Sequence, residues 1–153
     1  MDVETNDYDK VGRFHDALTK NMSERFGVYN QKAADMAVDL ARNNLQNNGS
    51  INSGELLGDI GIKENNNKGM DILIGTYKPW AIYIEFGRGP IRPVTAKVLH
   101  WKDKDTGDDV FSMYAGPTEP EPFFEPAIIV VKSKYKELVI TNESRFIGGI
   151  AVG

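Results

Sequence analysis

The sequence predicts an α+β fold in which a small, mainly antiparallel β-sheet packs against a long N-terminal helix and a C-terminal helix. Three patterns predict it. Apolar residues recur at spacings of three and four over residues 14–45, alternate in short runs over residues 60–75 and 93–114, and return to helical spacing over residues 123–140. At 153 residues the chain is of single-domain size, long enough to bury about two-thirds of its unfolded surface without a covalent staple. One domain over residues 1–153 is expected, with flexible arms at 1–7 and 141–153.

Each element follows from local chemistry. Phe14, Leu18, Met22 and Phe26, then Ala33, Met36, Ala37, Leu40, Ala41 and Leu45, line one face of a long amphipathic helix or of two helices. A break, if there is one, falls at 23–27, where Ser23, Glu24 and Gly27 suit a new helix start. The alanines of residues 33–41 favour helix and permit close approach to a sheet. Asparagines and a glycine in residues 43–49 suit its end. Ser53 is placed to cap a helical turn over residues 53–57. Ile60 and Ile62 then alternate with Gly61 and Lys63 as in a strand over residues 59–63, and after a polar loop over residues 64–68 an antiparallel partner follows in residues 70–75. There Leu73 makes the second face apolar too, so this strand is expected to be central and covered on both sides. Residues 80–86 fit either a strand or one or two helical turns. A long strand over residues 93–101 and a shorter one over 110–114 flank the polar run Lys-Asp-Lys-Asp-Thr-Gly-Asp-Asp, which reads as a hairpin. Ile128, Val131, Tyr135, Leu138 and Val139 define the closing helix over residues 123–140. The apolar, glycine-containing end of the chain, residues 146–153, is expected to dock on an adjacent subunit or ring.

Composition narrows the function. The chain has no cysteine and only two histidines, His15 and His100, so disulfides and thiolate metal sites are excluded, in keeping with a reducing compartment or with assembly in a cytoplasm. A net charge of -4 opposes a protein whose affinity rests on neutralising many phosphates. No apolar run reaches the roughly 18 residues that span a bilayer, and the N-terminus lacks a basic-then-apolar signal. A soluble protein without a membrane role is expected.

The chemistry-bearing constellations are weak. His100 and Glu85 form at most an acid–base pair without a nucleophile signature, and a surface or interface histidine is the plainer reading. His15 lies among polar helical neighbours and reads as solvated. Asp103, Asp105, Asp108 and Asp109 resemble a calcium loop faintly, but Gly107 and Tyr114 stand at ligand positions, so a solvated turn is expected and no metal or other cofactor is assigned. Gly87-Arg88-Gly89 lacks the context of a nucleotide fingerprint.

Two apolar stretches are more informative. Trp80, Tyr83 and Phe86 offer aromatic surface beside Gly87 and Gly89, and Pro122 and Pro126 bracket Phe123 and Phe124. Glu85 and Arg88 make either an intersubunit ion pair or a local one worth less than about 1 kcal/mol. One of Phe123 and Phe124 is expected in the core, and the other either covers the sheet or anchors a neighbour. With Phe146 of the tail, these residues are the candidate subunit interface.

Taken in order, Ser53-Gly54-Glu55-Leu56 followed by Ile60, then residues 80–87 (Trp-Ala-Ile-Tyr-Ile-Glu-Phe-Gly), Lys97-Val98-Leu99 with Val110-Phe111 beyond, and Pro122-Phe123-Phe124-Glu125-Pro126-Ala127 resemble the tail-completion, or head–tail joining, neck proteins of tailed bacteriophages. The resemblance spans roughly residues 33–140. Trp80 stands where that family more often has tyrosine, and Arg88 where threonine is common. The resemblance implies a structural virion protein in the neck or tail, made in the host cytoplasm, with no catalytic residues. It further implies a homo-oligomeric ring between a portal-side connector protein and a tail terminator or tail tube protein, with DNA passing through the lumen without sequence-specific binding. The alternatives are a non-viral protein-binding module and a small enzyme domain using His100 and Glu85.

Overall fold

The computed structural model describes residues 5–49, 54–103 and 105–150. Helix α1 (Thr5–Asn47) is unbroken, so the break weighed at residues 23–27 does not occur. Gly27 marks a crossing instead. The backbone of residues 67–69 passes over it so closely that a Cβ on Gly27 would stand 2.2 Å from the Lys68 carbonyl oxygen. Asn30 Nδ2 secures the crossing by donating to the Gly69 carbonyl at 2.9 Å.

The core lies beyond that point. Val38, Ala41 and Leu45 of α1 cluster with Leu56, Ile60, Ala81, Phe123 and Ala127, and Ala34 and Ala37 are buried on the same face. Small side chains on α1 let the opposing elements approach closely, which is how a core with few large residues stays filled. Helix α2 (Glu55–Asp59) starts from Gly54; Ser53, its expected cap, lies outside the described residues. It delivers Ile60 to the core and leads into strand β1 (Gly61–Asn66), which pairs antiparallel with β2 (Asp71–Gly75) as expected but runs on through residues 64–66, expected as loop, because a bulge between Ile62 and Glu64 lets the ladder continue. Asp59 fastens the junction: its carboxylate accepts from the Thr76 hydroxyl, the Tyr77 N–H and Lys63 Nζ. These bonds, the Thr76 one foremost, hold its pKa down at about 2.

Expectation and structure part at β2. It is not a central strand, because among the described residues its sheet has two strands. Ile74 packs on the core, whereas Leu73 on the other face is exposed. The remaining strands do not extend this sheet. β3 (Leu99–Lys102) and β4 (Asp109–Ser112) form a second two-stranded sheet, and the long strand expected over residues 93–101 shrinks to its end. Pro93 has no N–H for a ladder, and the alternating Val94 meets no core, standing 95% exposed.

Helix α3 (Ala81–Phe86) decides the ambiguous aromatic run. Its buried residues, Ala81 and Glu85, are four apart, the spacing of one helical face. Helix α4 (Phe124–Ile150) closes the fold antiparallel to α1. Asn44 Nδ2 donates to the Phe123 carbonyl at 3.1 Å, the Tyr135 hydroxyl to Asn30 Oδ1 at 2.6 Å, and Arg25 Nη2 to Glu143 at 3.1 Å. α4 therefore continues to Ile150, through most of the stretch expected as an arm, and α1 takes in residues 5–7 of the other expected arm. The unbroken α1 supplies a rail for α4 well past the core. Residues 1–4 and 151–153 lie outside the described residues.

Candidate functional site

Glu85 organises the region the sequence singles out. Its carboxylate, on a residue only 8% exposed, lies at the start of α4. Oε2 accepts from the N–H groups of Phe123 at 2.9 Å and Phe124 at 3.0 Å, and Oε1 from Glu125 at 2.9 Å. The first turn of a helix leaves N–H groups without intrahelical partners. Pro126 has none to satisfy, and Glu85 takes the three before it. An anion at this end also meets the positive pole of the helix dipole. α4 carries no Ser, Thr, Asp or Asn at Phe123 or Pro122 to cap itself, so the cap comes from another helix.

The proline strap ahead of α4 is fixed by the same neighbourhood. The Glu121 N–H donates to the Ile84 carbonyl at 2.8 Å, and Asn48 Nδ2 reaches the carbonyls of Glu121 and Pro122 at 3.1 and 3.2 Å. Gly87 lies where the chain leaves α3, with φ of 70°, and a Cβ there would stand 2.5 Å from the Thr118 carbonyl oxygen. Only glycine suits both conditions. Arg88 then pairs with Thr118 through both backbone hydrogen bonds.

The expected interface residues consequently divide. Glu85 is spent inside the subunit, pairing with neither Arg88 nor His100. The Arg88 guanidinium donates to the Gly116 carbonyl at 3.2 Å. Phe123 is the core member of its pair, 1% exposed, and Phe124 lies half-buried against it with ring centroids 5.0 Å apart. Trp80, Tyr83 and Phe86 remain exposed. Lys78 Nζ sits 5.2 Å over the Trp80 ring and 3.2 Å from Glu55. Phe146 falls within α4, but its side chain lies outside those described. Phe86, Ile82, Phe124, Ile128 and Ile129 border an open groove of about 470 Å³ between α3 and α4, with Lys132 on its rim.

The acid–base pair considered from sequence is not assembled. His100 Nε2 lies 2.8 Å from Asp109 Oδ1 across the hairpin, and its ring stacks on Phe111 at 4.6 Å. Both members of the His100–Asp109 pair are about half exposed, as in a cross-strand surface pair. The aspartate-rich turn behaves as a turn: Asp103 Oδ1 accepts from the N–H groups of Thr106 and Asp105, which lower its pKa. Among the described residues no group of three or more His, Asp or Glu is placed to hold a metal ion, and no helix is long and apolar enough to cross a membrane.

Residues 12–87 match the family described as "Bacteriophage HK97-gp10, putative tail-component". This stretch is similar to the HK97-gp10-like family. It takes in most of α1, the β1–β2 pair and all of α3 through Gly87, and so includes Glu85 but neither the second hairpin nor α4. The description of that family names a bacteriophage tail component, and it is this stretch, just under half of the chain, that is similar to it. No curated protein and no solved structure matches the chain.

What sequence reasoning missed is the destination of Glu85. An acidic residue on a short helix carries no mark of which helix end it will meet. The one available signal was negative: a proline-started helix with no capping residue of its own.

Proposed function

We infer that the protein is the subunit of a homo-oligomeric ring that joins the head connector to the tail of a tailed bacteriophage. One observation carries this: within an HK97-gp10-like chain, a rigid corner built on Glu85 and Gly87 holds Tyr83 and Phe86 outward, with Phe86 68% exposed beside an apolar groove. Rigid aromatic groups lose little entropy on docking and supply the anchor contacts of protein interfaces. The partners are further copies of the chain, a portal-side neck protein on one face, and a tail terminator or tail tube protein on the other. The ring's work is mechanical, with no catalytic step and no cofactor. A net charge of -4 suits a lumen through which DNA passes without being held by its phosphates. The subunit is made in the host cytoplasm and ends in the neck of the virion.

Joining in vitro tests the reading. Particles assembled without this subunit accumulate as separate heads and tails, and the purified protein restores joined particles. Joined, infectious particles in its absence refute it, as does a soluble activity that depends on His100 and Glu85.

A further inference from the structure

Residues 88–118 form a two-stranded arm. It is rooted by the bridges Arg88–Thr118 and Ile91–Ala115 and ends in the β3–β4 hairpin. Strands β3 and β4 pack chiefly on each other. A lone two-stranded hairpin is marginally stable in water, and this one leaves apolar side chains uncovered, Phe111 and Met113 each 64% exposed. Its tip is acidic: residues 102–109 hold four aspartates against two lysines. Elsewhere on the chain, the α3–α4 groove presents Phe86, Ile82 and Ile129 to solvent. From its rim, Lys132 begins a run of exposed lysines with Lys134 and Lys136. Among the described residues none of the three has an ion-pair partner.

We propose that the arm of one copy docks in the α3–α4 groove of the next copy, with Phe111 and Met113 against Phe86 and Ile129 and the aspartate tip against Lys132 and Lys136. Apolar surface meets apolar surface, and the charges at the two ends are opposite in sign. A DNA partner is disfavoured by the same aspartates. Arm and groove are different surfaces, so the contact is heterologous and repeats head to tail, the arrangement that generates rings. The proposal rests on the ring reading above and names the contact that builds the ring.

Because the chain has no cysteine, Phe111→Cys and Ile129→Cys each install a single thiol at an exposed position. Treated with a short bismaleimide crosslinker, a mixture of the two full-length variants gives a heterodimer at least about tenfold above a control mixture of Phe111→Cys with Val28→Cys. The double variant gives a ladder of multimers. Lys132→Glu with Lys136→Glu on the groove partner lowers the heterodimer yield roughly tenfold, and Asp105→Lys with Asp108→Lys on the arm partner restores it, because like charges oppose docking and swapped charges do not. Crosslinking no better than the control overturns arm docking. If light scattering shows the wild type associating in that case, the ring stands and closes through another surface. If the wild type also stays monomeric, arm docking is equally rejected, and the ring reading then falls or survives by the joining assay.

Discussion

Replacing Glu85 is the sharpest test of how this fold holds its exposed corner. In Glu85→Ala three N–H groups at the start of α4 lose their acceptor. The Phe123 N–H is in a buried bond, whereas those of Phe124 and Glu125 are partly buried and regain some hydration. The unsatisfied buried donor costs about 1–3 kcal/mol, the two partly buried donors together about 1 kcal/mol, and loss of an anion at a helix N-terminus adds up to about 1 kcal/mol, so the variant should lose about 2–5 kcal/mol. Glu85→Gln separates acceptor loss from packing. It keeps the volume and one oxygen but turns an amide donor toward an N–H donor, and should lose about 1–3 kcal/mol. Urea unfolding followed by far-ultraviolet circular dichroism, at a concentration where each protein keeps one association state, gives both values. Amide exchange at Phe123, Phe124 and Glu125 should accelerate selectively in both variants. An alanine variant within about 1 kcal/mol of wild type, with unchanged exchange at those amides, would refute the assignment of Glu85 as the cap of α4.

Other outcomes follow from single contacts. Gly27→Ala should destabilise by about 2–4 kcal/mol despite alanine's better helix propensity, because backbone rather than a flexible side chain occupies the Cβ position; a higher melting temperature would contradict the crossing. Phe123→Ala should cost about 3–5 kcal/mol in urea unfolding as a core truncation. Phe86→Ala should change folding stability by less than about 0.5 kcal/mol and still abolish particle joining, which separates surface from core. Asp59 has its folded pKa at about 2, below the ordinary 3.8, so the unfolded chain takes up its proton first. Its contribution is present above about pH 4 and fades as pH falls toward 2. Asp59→Asn should therefore flatten that part of the stability–pH profile, and an unchanged slope would remove Asp59 from the account.

Much of this was legible because helical periodicity and strand alternation are local properties. The spacing of Ala33, Ala37, Ala41 and Leu45, the antiparallel pairing of the strand holding Ile62 with the strand holding Ile74, though not its extension through Asn66, the hairpin around Gly107 and the closing helix after Pro122 all come from side-chain period and turn chemistry within a few residues. The resemblance to phage neck proteins and the family match over residues 12–87 agree on a virion component. Where the reading went astray, a residue's local habit was overruled from a distance. Whether α1 broke near Gly27 was open, and the structure makes Gly27 a place where another backbone passes. Glu85 looks like a surface charge beside Arg88 and is a buried cap. Leu73 suggests a strand covered on two faces, yet it stands exposed.

By itself the sequence determined the two long helices and the hairpins, the absence of thiol chemistry, the acidic balance and the two aromatic corners, since each depends on residue identity and near neighbours, but not whether residues 80–86 are helix or strand. Tertiary structure alone decided which of Phe123 and Phe124 enters the core, that Glu85 belongs to α4, and that residues 88–118 stand away from the body as an arm. The physical reason is that burial and hydrogen-bond partnership depend on which distant surfaces meet. For Glu85 the deciding donors lie 38 to 40 positions along the chain, beyond the reach of any local period.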